Sequence, residues 1–250
     1  MMHVWRTWML ALAVAFLVAA AAGCADDTNR AQDTTPITLQ PSAKLAVVGS
    51  DYASVNLSAV DLATRQVVAS SFVHSGSAVM PGGTALSGDV VVAQTATLDG
   101  RLVLVDRING VLTFIDPASL EVVRQVPVAS GSYANPQDFL QVSDDLAVVP
   151  RMGANPTPTP DPNDLDEGDD LLLVDLAAGK AKARIPLAAH ATLAGTVAAP
   201  GRVAWDGQLV WVPLGSMSAD FAKAGLGRIV AVDPVAGQVV HVVAAPESKN

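Results

Sequence analysis

One short sequence unit occurs four times, and this repeat constrains the fold more than any other feature. Each copy is an apolar β-type run that ends in Asp and is followed by a turn and a second run. The copies are VNLSAVDLATRQVVA, VLTFIDPASLEVVRQ, LLLVDLAAGKAKARI and RIVAVDPVAGQVVHV, and their Asp residues lie 55, 59 and 58 positions apart. A further run precedes each copy, beginning at Leu45, Leu102, Leu146 and Leu209. A recurring spacing of this length indicates a repeat architecture.

The Asp of each unit has a structural explanation. A carboxylate at the end of a strand can accept hydrogen bonds from backbone N–H groups two or three residues later, which forms an Asx turn. Pro117 and Pro234 follow two of these Asp residues and preset the φ angle of the first turn residue. We therefore predict that the four are structural turn caps rather than catalytic groups: Asp61, Asp116, Asp175 and Asp233.

The apolar runs indicate sheets that are covered on both faces. They are rich in Val, Leu and Ile and alternate only partly with polar residues. The 19 Gly and 16 Pro interrupt the chain too often for long helices. Antiparallel four-stranded sheets stacked around an axis meet both conditions. The predicted fold is all-β, a β-propeller with about four visible four-stranded blades.

Leu102 to Val128 carries the clearest family resemblance. This stretch, LVLVDRINGVLTFIDPASLEVVRQVPV with a hairpin turn at Asn109-Gly110, is followed by NPQDFLQVSDDLAVVPR. Together they resemble the YVTN-type β-propeller repeat, in which a strand closing on Ile-Asp is followed by a turn, a strand, a Pro and an SPDG-like turn. The resemblance extends over residues 42 to 245 and implies a propeller. The chain departs from the repeat at the strand ends Asp106, Pro150 and Pro213 and in two long insertions.

Four units leave two alternatives for the ring of blades. The propeller is either small or incomplete, since propellers usually have 4 to 8 blades. ITLQP, Ile37 to Pro41, is a further candidate for a strand that closes the last blade.

The N-terminus has the three parts of a secretory signal. Arg6 lies in a short first region, an apolar run extends from Met9 to Ala22, and small residues precede Cys24. An apolar run of about 15 residues is shorter than the roughly 20 that span a bilayer. Ala21-Ala22-Gly23-Cys24 resembles the lipobox of bacterial lipoproteins, which implies lipidation of Cys24. The alternative is an ordinary signal peptide followed by an incidental Cys.

These features divide the chain and predict its location. Residues 1–23 form a lipoprotein signal peptide, residues 24–41 a flexible tether and residues 42–250 the propeller-like domain. The expected location is the bacterial cell envelope, lipid-anchored to a membrane and facing the periplasm or the cell surface. Cys24 is the only Cys, so an intramolecular disulfide and a Cys-based metal site are excluded. A net charge of −9 excludes nucleic acid as an expected partner.

The first insertion, Gly153 to Asp170, is the most acidic part of the chain. It places six acidic residues within ten positions: Asp161, Asp164, Asp166, Glu167, Asp169 and Asp170. Oxygen ligands at this density suit Ca²⁺, which takes 6 to 8 of them. The spacing of an EF-hand is absent, because Leu165 and Asp166 occupy its fifth and sixth positions. A solvated acidic loop is the alternative to a calcium site, and we expect no other cofactor.

The second insertion, Gly215 to Gly227, contains a segment with helical potential, Ser218 to Ala224, which Ser218 would cap. Insertions of a propeller project from one face, where they contact a ligand or partner, although a plain elaborated loop is the alternative. No metal-binding spacing joins the scattered histidines His74, His190 and His241. Trp205 and Trp211 are expected to pack between blades.

Two functions compete. The first is a non-catalytic, membrane-anchored envelope lipoprotein whose propeller binds or scaffolds an envelope protein, a peptide or a glycan. The second is an enzyme, because some propellers of the kind that this chain resembles are lactonases or quinoprotein dehydrogenases. An enzyme of that type would need acidic, Asn or His side chains that converge on the axis from several blades. The sequence shows no such set at equivalent positions, which favours the binding function.

Overall fold

The structure is a computed structural model, and it describes residues 44–76, 79–129 and 133–244. The chain divides into two units, residues 1–40 and residues 41–250, and every described residue belongs to the second. The predicted signal peptide, Cys24, the predicted tether and the Ile37–Pro41 segment lie outside the described residues.

Four antiparallel sheets, here called blades 1 to 4, follow one another along the described chain. Blade 1 contains β1 (Lys44–Ser50), β2 (Val55–Asp61) and β3 (Val67–His74). Blade 2 contains β4 (Val90–Val92), β5 (Leu102–Asp106), β6 (Val111–Ile115) and β7 (Val122–Pro127). Blade 3 contains β8 (Leu140–Gln141), β9 (Leu146–Ala154), β10 (Gly168–Asp175) and β11 (Lys180–Pro186). Blade 4 contains β12 (Ala204–Trp205), β13 (Val210–Leu214), β14 (Arg228–Asp233) and β15 (Gln238–Ala244).

The predicted all-β propeller fold is confirmed. Blades 2, 3 and 4 each have four strands that are hydrogen-bonded in chain order, and blade 1 has three in the described residues. The only helix of the described residues is a 3₁₀ turn at Ala188–His190. No described helix has the length and apolar character that crossing a membrane requires.

The repeated units form the middle of each blade. The runs that begin at Leu45, Leu102, Leu146 and Leu209 become β1, β5, β9 and β13, and the runs that end in Asp become β2, β6, β10 and β14. All five residues of β6 are buried, as are seven of the eight in β10. The continuous apolar pattern of these runs therefore reflects a neighbouring blade on each face.

The Asp at the end of each unit accepts backbone hydrogen bonds in the following turn. The Asp116 carboxylate accepts from the N–H groups of Ala118 at 2.8 Å and Ser119 at 2.9 Å. Asp61 accepts from Thr64, Asp175 from Ala178, and Asp233 from Val235 and Ala236. In each case the bond lies in the turn between the strand that ends in Asp and the outermost strand of the blade. Its geometry is that of an Asx turn.

Three apolar clusters join neighbouring blades. One lies between blades 1 and 2 and includes Leu57, Leu104 and Ile115. A second joins blades 2 and 3, where the rings of Phe114 and Phe139 meet edge to face at 5.5 Å. The third joins blades 3 and 4 through residues such as Leu171, Val212 and Val230. Burial between blades thus stabilises the array at each junction.

Asp138 links blade 3 to both of its neighbours. It lies just before β8 and is 1% exposed. Its carboxylate accepts from the backbone N–H of Gln94, which follows β4 of blade 2, at 3.0 Å. It also accepts from the N–H of Val203, which precedes β12 of blade 4, at 3.2 Å. A buried carboxylate is tolerated here because backbone donors satisfy it.

Candidate functional site: a cleft between the two insertions

Both insertions occupy the same connection of their blades. The first joins β9 to β10 and the second joins β13 to β14, which are the second and third strands of blades 3 and 4. The second strands of neighbouring blades end at the same face of a propeller. The two insertions therefore emerge side by side on one face, as the sequence predicted for projecting loops.

The first insertion is shorter than its sequence suggests. β9 continues to Ala154 and β10 begins at Gly168, so Asp169 and Asp170 belong to a strand and are buried. Gly168 has a φ of 67°, and a Cβ atom there would overlap the carbonyl oxygen of Gly153. Only glycine allows this close approach of the two strands at the base of the loop.

The six acidic residues of this insertion do not form one ligand set. Asp161 accepts from Asn163, Asp164 from the Thr159 hydroxyl, and Asp166 from Asn155 and Thr159. Glu167 pairs with Arg184 at 2.7 Å. Across residues 44–76, 79–129 and 133–244, no group of three or more His, Cys, Asp or Glu side chains is placed to hold a metal. Calcium binding by this segment stays a prediction, which a calorimetric titration with millimolar Ca²⁺ would test.

Asp170 belongs to a buried ion pair. Arg151 is 1% exposed, and its guanidinium donates to both carboxylate oxygens of Asp170, at 2.8 and 2.6 Å. Arg151 also donates to the carbonyl oxygens of Val128 and Leu165, at 3.1 and 2.7 Å. Burial raises the pKa of the Asp170 carboxyl, and the bonds and charge of Arg151 oppose that rise. Arg151 thus fixes the end of β9, the base of the insertion and blade 2 together.

Asp169 connects the first insertion to the opposite wall. Its carboxylate accepts from the backbone N–H groups of Ala198 at 2.9 Å and Ala199 at 3.1 Å. Burial raises the pKa of Asp169, the two backbone donors lower it, and the charge of Asp170 raises it further. This carboxylate holds the segment that precedes blade 4 against blade 3.

The second insertion is a closed loop, and the helix predicted for Ser218 to Ala224 is wrong. Met217 forms isolated antiparallel bridges with Val197 and with Ala224, so the loop returns on itself within seven residues. The Ser218 hydroxyl accepts from the N–H of Lys223 at 2.9 Å, whereas a helix cap would satisfy a donor two or three residues later. The bridges on both sides of Met217 compete successfully with a single helical turn, which has little stability of its own.

The two insertions enclose a cleft of about 270 Å³. It is lined by Asn135 and Met152 and, on one side, by residues 153–156. The opposite wall contains Val197, Ala199, Met217, Ser218, Ala219 and Phe221. Two exposed aromatic rings stand at the rim, Tyr133 at 53% and Phe221 at 63% exposure. Methionine and aromatic side chains of this kind give an adaptable apolar binding surface.

Three residues that line the cleft have a left-handed backbone. Asn135, Ala199 and Phe221 have φ angles of 49°, 54° and 59°. Ser216, which is fully buried beside the cleft, has a φ of 46°. Six other non-glycine residues of the described chain also have a positive φ, so this feature is shared with turns elsewhere in the blades.

Several predicted residues lie elsewhere. His74 ends β3, His190 lies in the 3₁₀ turn and His241 lies in β15, so three different parts of the fold carry them. Trp205 packs against the cluster between blades 3 and 4, whereas Trp211 lies on the neighbouring strand and donates to Asp206 at 2.7 Å. No local sequence pattern marks Tyr133 and Met152, because only folding brings them beside the second insertion.

Comparison with known proteins supports the fold and goes no further. No protein-family model matches the chain, and a search of curated proteins finds no relative. Among solved structures the chain is similar to Kuenenia stuttgartiensis hydrazine synthase, with a TM-score of 0.51 and 16% identity over 88% of this chain and 53% of that one. Dihydro-heme d1 dehydrogenase NirN in complex with DHE is similar over 81% of this chain and 37% of that one, with 16% identity and a TM-score of 0.44.

The likeness to hydrazine synthase concerns the fold alone. Both structures are propeller-type folds, and at 16% identity the first shows a shared architecture. This chain spans about half the length of the hydrazine synthase chain that it matches. The described part of the protein is a β-propeller-type fold with an apolar cleft on the face where its two insertions emerge.

Proposed function

We propose that the protein is a non-catalytic lipoprotein of the bacterial cell envelope, whose propeller binds a protein or peptide through the cleft. The cleft between the two insertions is the observation that carries this proposal. Met152 and Met217 give it an apolar interior, and Tyr133 and Phe221 offer large exposed aromatic surfaces at its entrance. Aromatic and methionine side chains are enriched where proteins bind one another.

The charge around the cleft favours a particular kind of partner. Asp220 precedes Phe221, and hydrogen bonds from the Ser218 hydroxyl and the Ala222 N–H lower the pKa of its carboxyl. The whole chain carries a net charge of −9. A segment with an apolar anchor residue next to a basic residue would complement both the cleft and its rim.

A photo-crosslinking amino acid in place of Phe221 tests the binding site in intact cells. We expect ultraviolet light to produce one defined protein adduct, because a partner seated in the cleft would lie within reach of this rim position. Val235 is the matched control, since it is 88% exposed in a turn of blade 4 and does not line the cleft. The same adducts from both positions, or none from position 221, would contradict the proposal.

The anchor is tested separately through Cys24. We expect Cys24→Ser to move the protein from the membrane fraction to the soluble fraction, because several acyl chains on one residue provide the membrane affinity. The measurement is the distribution of the protein between the two fractions after cell lysis. A serine variant that is retained in the membrane fraction as fully as the wild type would refute lipidation.

A further inference from the structure

The two ends of the blade array expose sheet faces that are largely apolar, with Asn56 and His74 on the face of blade 1 and His241 on that of blade 4. Ala46 and Val48 of β1 pack into the cluster between blades 1 and 2, so Leu45 and Val47 point to the other side of the sheet. Leu45 is 50% exposed and Val47 is 42% exposed. With Val60 and Val67, which are paired across β2 and β3, they form what we call the leading face.

Blade 4 has the corresponding face at the other end. Val210, Val212 and Val230 pack against blade 3, so the residues that alternate with them point away from it. These are Trp211 and Pro213 of β13 and Ile229 of β14, and Val243 of β15 pairs with Ile229. We call this set the trailing face. Ile229 is 42% exposed and Val243 is 49% exposed.

The two faces are the two halves of one kind of interface. In every blade that has a predecessor, the residue just before the turn Asp packs toward that preceding blade: Ile115, Val174 and Val232. The residue before it packs toward the following blade, as Phe114 and Leu173 do. In blade 1 the residue just before the turn Asp is Val60, which lies on the leading face. In blade 4 the residue two positions before the turn Asp is Ala231, which lies on the trailing face. A trailing face and a leading face are therefore the two surfaces that meet wherever one blade packs against the next.

The polar residue at the centre of the leading face does not prevent such packing. Ser58 lies three positions before its turn Asp, as Thr113 does in blade 2. Thr113 is fully buried, and its hydroxyl accepts from Gln125 Nε2 at 2.9 Å. The Ser58 hydroxyl similarly accepts from the N–H of Ser71 at 3.0 Å. Because its hydrogen bond is made within its own blade, Ser58 can be covered by a neighbouring blade.

We propose that a second copy of this chain covers both faces and closes a ring of eight blades. Among the described residues, the apolar clusters join blades 1 to 2, 2 to 3 and 3 to 4, and none joins blade 4 to blade 1. The trailing face of one copy meets the leading face of the other, and the second contact repeats the first by two-fold symmetry. A head-to-tail contact of this kind leaves no open face only if the ring closes, and eight blades lie within the range of propellers.

The size of the contact reaches the lower limit of a specific interface. The leading face has three described strands, so from standard strand spacing and rise one contact measures roughly 14 by 17 Å, which is about 240 Å². Two contacts cover roughly 480 Å² of each copy, or about 1,000 Å² in total.

The test measures the molar mass of the full chain, purified in a mild detergent, by light scattering and sedimentation. The wild type should be a dimer. Val47→Glu on the leading face and Ile229→Glu on the trailing face should each weaken dimerisation by at least about tenfold, because each buries an unpaired charge. Ile108→Glu is the matched control, because Ile108 is 47% exposed in a turn of blade 2 and lies on neither face.

Mixing the two variants separates this geometry from others. Val47→Glu retains its trailing face and Ile229→Glu retains its leading face, so the mixture should recover pairs through one intact contact. A face-to-face dimer of like surfaces would not be restored in this way. Circular dichroism establishes that each variant is folded. A monomeric wild type, a dimer that both variants retain, or a mixture that stays monomeric would overturn the proposal.

Discussion

Arg151 and Asp170 show how one residue pair determines the geometry of the site. Both side chains are buried, and the guanidinium satisfies two carboxylate oxygens and two backbone carbonyl groups. The pair lies directly beneath the first insertion, since Leu165 belongs to that loop. A buried ion pair contributes little net stability compared with apolar residues of the same volume, but it is costly to break. Its role is therefore to hold three segments in one arrangement.

Removing only Arg151 should be strongly destabilising. We expect Arg151→Met to lower the free energy of unfolding by about 3–5 kcal/mol, because the buried Asp170 would lose both short hydrogen bonds and keep only the longer contact with Arg184 at 3.8 Å. The double variant Arg151→Met, Asp170→Leu should be less destabilised than Arg151→Met alone. Urea unfolding of the wild type, Arg151→Met, Asp170→Leu and the double variant measures both effects. Losses that simply add would show that the two side chains do not act as a pair.

The turn Asp residues make stability depend on pH in the acid range. Hydrogen bonds from the N–H groups of Ser119 and Ala118 lower the pKa of Asp116, and a bond from the Thr64 N–H lowers that of Asp61. A carboxyl whose pKa is lower in the folded state stabilises the fold above its unfolded pKa, which is about 4. That contribution is lost as the pH falls through the folded pKa.

Replacing these carboxylates by amides should make the free energy of unfolding fall less steeply as the pH is lowered. Asp61→Asn and Asp116→Asn keep an oxygen that can accept in the turn, but the amide does not titrate. The double variant should lose less stability than the wild type between about pH 5 and pH 2. The measurement is the urea midpoint at each pH. Identical pH profiles for the two proteins would mean that the turns do not contribute to acid sensitivity.

At the scale of elements, the connection between the second and third strands is where the blades differ. Blade 2 joins these strands through a four-residue turn in which Gly110 has a φ of 61°. Blades 3 and 4 replace that turn by insertions, and blade 3 extends β9 and β10 beyond the repeat before the loop begins. The extended strands carry Asp169 and Asp170 into the interior, which is why these two residues do not behave as part of a solvated loop.

Gly168 should be the most sensitive glycine of this connection. In Gly168→Ala the new Cβ would overlap the Gly153 carbonyl oxygen and would also require a left-handed backbone. Gly237→Ala provides the matched control, because Gly237 has a φ of 69° and no atom near its Cβ position. The control should lose about 1–2 kcal/mol from backbone strain alone.

The difference in unfolding free energy between the two alanine variants measures the cost of the added methyl group where the two strands approach each other closely. We expect a larger loss of unfolding free energy in Gly168→Ala than in Gly237→Ala, and weaker crosslinking from position 221 only in the former. Equal losses from both variants would indicate that the base of the insertion relaxes without cost.

At the scale of the whole molecule, the sequence predicts the repeat and not the site. The run that ends in Asp is visible because one local physical requirement, an acceptor for turn N–H groups, recurs in every blade. The cleft combines Asn135 and Met152 with Met217 and Phe221, and no local pattern relates residues that are so far apart in the chain. The helix predicted at Ser218 was wrong because Met217 pairs with Val197, which lies 20 positions earlier in the chain.

Asp138 has a consequence for how the molecule unfolds. Repeat arrays usually behave as one-dimensional chains in which each unit is coupled only to its nearest neighbours, so cooperativity decays along the array. The Asp138 carboxylate of blade 3 accepts from Gln94 of blade 2 and from Val203 of blade 4, which strengthens the coupling of blade 3 to both of its neighbours. Blades 2, 3 and 4 should therefore melt in a single transition, and partial opening of the array should begin in blade 1.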